Sequence, residues 1–169
     1  MPKLTVTALV ATMTGSAELL AEDLTDEFED ACELDLVLIE DADPDDLAGL
    51  GVVLIVSSTY GVGEVPEPSK AFYATIEEAA PDLSGLIYGV ISLGDSTYHK
   101  TFARGGQLWD ELLSKFGARR LGDVLKIDAN APDEPLDLAR VWFEAWLEIV
   151  RVAPEGPVSA VDQQAATAR

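Results

Sequence analysis

Apolar runs alternate along this chain with stretches of helical period, and that alternation restricts the fold more than any single residue. Leu4–Ala11 is rich in Val, Leu and Thr and reads as a buried strand. Ala17–Ala31 follows with Leu20, Leu24 and Phe28 on one helix face. Leu34–Ile39 is a second strand, and Glu40–Asp46, with Pro44, reads as a solvated loop. Gly51–Ser57 is the most strand-like run, followed by a helix over Pro68–Ala80. Leu86–Leu93 is a fourth strand, and Gly105–Phe116 a helix stopped by Gly117. Arg119–Ile127 is a fifth, less apolar strand, expected nearer an edge. Pro135–Val150 closes the series as a helix with Leu138, Val141, Trp142, Ala145 and Ile149 on its apolar face. Strands without polar alternation want cover on both faces, so the series predicts an α/β fold with a parallel sheet between helical layers.

Composition narrows the function. Eleven Lys and Arg stand against 31 Asp and Glu, a net charge of −20. Such a chain repels nucleic acid and anionic lipid, and suits a basic protein partner or high-salt solvation. A single cysteine, Cys32, excludes an intramolecular disulfide and multi-cysteine metal sites; it is expected to end the first helix as a packed thiol. No signal peptide or apolar span is visible, so the expectation is a soluble, cytoplasmic monomer with no metal. Residues 1–152 form one domain in this reading, and 153–169 a flexible tail.

In an open parallel sheet, ligands bind beyond the carboxyl ends of the strands. Three loops fall there. The first, Thr12-Met13-Thr14-Gly15-Ser16-Ala17, brings three hydroxyls and a glycine to a helix start, which is an anion site. It lacks the lysine of a nucleotide-hydrolysing P-loop and the three glycines of a dinucleotide fingerprint, so a phosphate monoester suits it. The second, Ser58-Thr59-Tyr60-Gly61-Val62-Gly63-Glu64, and the third, Gly94-Asp95-Ser96-Thr97-Tyr98-His99-Lys100-Thr101-Phe102, each place a tyrosine in a polar loop. Two such tyrosines can clamp a flat ring. His99 is expected to face solvent; Trp109, Trp142 and Trp146 are expected to pack helices.

With these loops the sequence resembles the flavodoxin family, including its short-chain and MioC-like members and the FMN domains of diflavin reductases. Thr12–Ala17 is similar to its T-x-T-G-x-[TA] phosphate loop, Ser57–Pro66 to S-T-x-G-x-G-x-x-P, and Leu93–Tyr98 to L-G-D-S-x-Y. The resemblance covers roughly residues 3–150, with no long insertion in the fifth strand. It implies a three-layer α/β/α sandwich with five parallel strands in the order 2-1-3-4-5. It also implies bound FMN: phosphate on Thr12, Met13 backbone, Thr14, Gly15, Ser16 and Ala17, and ring between Tyr60 and Tyr98. Backbone of Ser58, Thr59, Leu93, Gly94 and Asp95 would meet the ring's polar edge; Phe102 would close its outer side; Gly61 and Gly63 shape the second loop. Tyr60 stands where many flavodoxins carry Trp.

The implied work is one-electron transfer through the semiquinone, between an NAD(P)H-dependent flavodoxin or ferredoxin reductase with a basic surface and acceptor enzymes. Gly61 can reach positive φ, so its peptide could flip to accept from a semiquinone N5–H. Glu64, Glu67 and Asp95 would disfavour an anionic reduced ring, offset in part by Lys100 and Arg104; a charge pair ~8 Å apart is worth about 2 kcal/mol at an effective dielectric near 20. An alternative is a flavodoxin-like NAD(P)H:quinone oxidoreductase, which would need a substrate pocket over the ring, usually built from insertions. A receiver domain would need an acceptor Asp where Ser57-Ser58 stands and acidic residues at Ala11-Thr12. A structural interaction domain with an empty site would give a colourless protein.

Overall fold

The computed structural model describes residues 3–153; the expected tail lies, from residue 154 on, outside the described residues. Among the described residues, six strands and four α-helices follow in the order β1 (Leu4–Ala11), α1 (Ser16–Glu27), β2 (Cys32–Leu38), β3 (Val52–Ser57), α2 (Lys70–Ala79), β4 (Ile87–Gly94), α3 (Arg104–Lys115), β5 (Arg119–Arg120), β6 (Leu125–Asp128) and α4 (Pro135–Val152). All pairings are parallel, in the order β2-β1-β3-β4-β5, with β6 also on β4. The expected order 2-1-3-4-5 is therefore present, with one strand more than expected.

The missing polar alternation has its cause in the two covered faces. Val6, Ala8, Val10, Leu54, Val56 and Ile91 point to the α1–α4 layer. Their neighbours Leu9, Ala11, Val53, Ile55, Tyr88 and Val90 point to the α2–α3 layer. Each large apolar side chain among them, fully buried, contributes roughly 1.5–3 kcal/mol.

Four expectations need correction. The expected fifth strand is broken into β5 and β6. Gly122 sits at φ +74, and the carbonyls of Leu121 and Asp123 accept the indole N–H groups of Trp146 and Trp142 at 3.1 and 3.0 Å. The first helix stops at Glu27, where Glu27, Glu29 and Asp30 oppose the helix dipole and the last turn has no basic residue. The chain then turns back on the Phe28 carbonyl, so Cys32 opens β2 rather than ending the helix. Residues 39–49 hold two 3₁₀ turns, Ile39–Asp41 and Pro44–Gly49, with Asp43 accepting from the Asp45 N–H at 2.9 Å. Finally, the buried face of α4 is Ala139, Phe143, Trp146, Leu147 and Val150; Val141 is 71% exposed.

Candidate functional site

The three informative loops follow β1, β3 and β4 at the carboxyl edge of adjacent strands. Ser58 N–H donates to the Ala11 carbonyl at 2.9 Å, which ties the second loop to the first.

In the first loop, Gly15 is the N-cap of α1 at φ +94, and no side chain caps the helix. A Cβ there would touch nothing within 4 Å, so the conformation rather than crowding calls for glycine. Thr12 is buried, and its hydroxyl accepts the Gly15 N–H at 2.9 Å, folding the loop back on itself. The hydroxyls of Thr14 and Ser16 lie 3.4 Å apart on the exposed side. Ala17 is fully buried, so only its backbone can serve a ligand. The first-turn N–H groups of a helix have no intrahelical partners. This end is therefore a bowl of donors without a cationic side chain.

The second loop is closed by paired backbone bonds, Tyr60 N–H to Glu64 O and Glu64 N–H to Tyr60 O, both 2.8 Å. Gly61 and Gly63 both lie at positive φ within it. Lys70 Nζ bridges Glu64 Oε2 at 2.7 Å and Glu67 Oε2 at 2.9 Å. Those hydrogen bonds, Glu64 first, hold the ammonium well above the usual lysine range. Arg104, whose Cγ would lie 3.2 Å from a Cβ on Gly63, is paired with Glu111 at 3.1 Å.

The third loop faces the second across a cavity of about 430 Å³ lined by Gly61, Val62 and residues Thr97 to Thr101. Tyr98 is 66% exposed on that cavity and Tyr60 is 41% exposed at the foot of its loop. His99 and Lys100 are exposed on its wall. Phe102 is half-buried, and a Cβ on Gly94 would come within 3.1 Å of its ring and 2.4 Å of the Ala103 nitrogen.

Behind these loops lies a layer that the motifs do not reveal. Thr59 Oγ1 donates to the Leu93 carbonyl at 2.9 Å and accepts the Gly105 N–H at 3.0 Å. Ser92 Oγ donates to the Ala103 carbonyl at 2.7 Å and accepts the Gly106 N–H at 3.0 Å. Trp109 Nε1 donates to Ser57 Oγ at 3.1 Å. The first turn of α3 carries two glycines because a Cβ at Gly105 would lie 2.1 Å from the Ser58 carbonyl, and one at Gly106 2.3 Å from Ser92 Cβ. A double glycine at a helix start was the available signal.

The family model named Flavodoxin matches residues 9–142. The chain belongs to the flavodoxin family. It is 39% identical over 143 residues to the flavodoxin YqcA of Pectobacterium carotovorum subsp. carotovorum, covering 83% of this chain and 93% of that protein. It is 36% identical over 157 residues to the NADPH sulfite reductase flavoprotein alpha-component of Sodalis glossinidius, covering 90% of this chain and 25% of that longer one. The solved structure of a cysteine-to-alanine mutant of flavodoxin from Pseudomonas aeruginosa superposes with a TM-score of 0.72 at 30% identity, covering 88% of this chain and 99% of that one. Within this family the chain is an FMN-binding electron carrier, and its geometry fits the group. The uncapped start of α1 offers uncharged donors to a phosphate, and the cavity under Tyr98 offers a wall to a flat ring. Among the described residues no helix is long and apolar enough to cross a membrane.

Proposed function

We propose that this flavodoxin passes electrons singly between an NAD(P)H-dependent reductase and acceptor enzymes, with FMN held at the residues read from its loops. The observation that carries the reading is the meeting of two unlike subsites on one sheet edge: an uncapped helix start with hydroxyls, and a cavity between two tyrosine-bearing loops. When bound, FMN supplies the electron chemistry; the chain needs no nucleophile and no general base.

The chain's own part is to bind, orient and set charge. Thr12, Thr14 and Ser16, with the backbone of Met13, Gly15 and Ala17, hold the phosphate. Tyr60 and Tyr98 flank the ring, with backbone of Ser58, Thr59, Leu93, Gly94 and Asp95 at its polar edge and Phe102 on the outer side. Gly61, at φ +56, leaves its peptide free to turn toward the ring. Lys70 offsets Glu64 and Glu67 beside it.

The net charge of −20 suits a partner with a basic rim, and association should slow as salt rises. A relative that continues into an NADPH-dependent flavoprotein supports a reductase as that partner. A monomer in the cytoplasm completes the proposal.

The test is to titrate apoprotein with FMN and then photoreduce it in steps. A yellow complex that reduces in two separable one-electron steps, and oxidises NADPH only when a reductase is added, is the expected result. No uptake of FMN sinks the reading; steady NADPH oxidation by the protein alone replaces it with the quinone reductase.

A further inference from the structure

The segment after β6 grips the third loop from outside. Ala129 N–H donates to the Gly94 carbonyl at 2.8 Å. Asp128 Oδ1 accepts the N–H groups of Ser96 and Asn130, each at 3.0 Å. Asn130 Nδ2 donates to Asp95 Oδ1 and, at 3.1 Å, to Thr97 Oγ1. Asp95 Oδ1 also takes the Thr97 N–H at 2.8 Å, and the Tyr98 N–H donates to the Asp95 carbonyl at 3.0 Å.

We propose that Asn130 is a positioning residue for the ring end of the FMN site, acting through the 95–97 turn on Tyr98. The inference rests on the reading that FMN lies in the cavity beside Tyr98. Its physical basis is a conflict of charge. Asp95 and Asp128 sit close enough that the Asp128 charge opposes ionisation of Asp95. Hydrogen bonds nevertheless hold both carboxyls below the usual range, chiefly from Thr97 for Asp95 and from Ser96 for Asp128. Two carboxylates in one turn repel, so the turn needs a donor that adds no further negative charge. A primary amide provides that: its N–H₂ reaches Asp95 and Thr97 together, while its backbone N–H holds Asp128. Asp in its place would remove both side-chain donors and add a third charge; alanine would remove the donors alone.

The experiment compares Asn130→Ala and Asn130→Asp with wild type. Amide hydrogen exchange of Ser96, Thr97 and Tyr98 is measured in the apoprotein, and dissociation constants are measured for FMN and for riboflavin. Thermal unfolding checks that each variant folds, as expected for an exposed residue. The lost donors should speed exchange at these amides several-fold. Both flavins should bind about 5-fold more weakly in Asn130→Ala, and more weakly still in Asn130→Asp. An equal loss for FMN and riboflavin marks the ring end, because riboflavin has no phosphate; Thr14→Ala is the control that weakens FMN alone. Unchanged exchange, or faster exchange with unchanged riboflavin affinity, overturns the proposal while leaving the FMN reading intact. Wild-type protein that takes up neither flavin overturns the FMN reading and this inference with it.

Discussion

The loop after β1 and the loops after β3 and β4 solve opposite problems. In the first, Thr12 is engaged by the Gly15 N–H, but the outward groups stay available: α1 starts without a side-chain cap, and Thr14 and Ser16 lie 3.4 Å apart at the surface. In the others, polar groups are already engaged. The Thr59 hydroxyl serves Leu93 and Gly105, the Ser92 hydroxyl serves Ala103 and Gly106, and Asp95 and Asp128 are held by N–H donors. One region supplies donors for a charge; the other is a wall built in advance. An acidic chain can thus meet an anion without a lysine, and can face an uncharged ring with a wall free of loose dipoles that water would claim.

The sharpest way to break the built wall is Gly105→Ala, since the new Cβ would stand 2.1 Å from the Ser58 carbonyl. Overpacking of this kind costs about 1–3 kcal/mol. We expect a lower Tm and at least ~10-fold weaker binding of FMN and riboflavin alike; affinities equal to wild type would show that the second loop does not depend on this contact.

Gly15→Ala attacks the other region. At φ +94 a side chain costs roughly 1–2 kcal/mol, with no clash involved. The expected result is about 10-fold weaker FMN and unaltered riboflavin, read by fluorescence titration; a parallel loss of both flavins would erase the contrast between the ends.

Acid provides a milder separation. The Asp95 and Asp128 carboxyls are lowered by their donors, so their contribution is complete above the ordinary carboxylate pKa, near pH 4, and is lost as pH falls through the lowered values. The amide shifts of Ser96 and Thr97 should stay constant from about pH 8 to pH 5 and move only below about pH 4. Movement near neutrality would contradict the assignment.

The smallest effect is expected from Lys70→Met, which leaves Glu64 and Glu67 unopposed beside Gly61. The second reduction midpoint of the FMN complex should shift slightly negative at low salt and return toward wild type at about 1 M, where the screening length is near 3 Å. A positive shift would mean that Lys70 acts only on loop shape.

Much of the frame was legible in the sequence. Leu4–Ala11 is β1 as read, and the runs ending at Ser57 and Leu93 became β3 and β4, because strands buried on both faces must be apolar throughout. The three loops at the carboxyl edge of β1, β3 and β4 were legible as loops because glycines and hydroxyl residues interrupt the apolar runs there. The face of α4 was not. That helix carries apolar residues around most of its circumference, and contacts with distant parts of the chain decide which side turns inward: Phe143 packs edge-on against Phe28, and Trp146 donates to the Leu121 carbonyl. The break between β5 and β6 was equally hidden, since it depends on indoles arriving from residues 142 and 146. Asn130 lies 35 residues from Asp95, so no local pattern announces their bond.

The bare start of α1 carries a consequence for the life of the protein in a cell. A helix whose first turn lacks partners is a weak point where the chain opens and proteases gain entry. A bound phosphate seals it and withdraws molecules from the opened population by mass action. Apoprotein should therefore be cut by a protease faster than the FMN complex, with early cleavage near the start of α1.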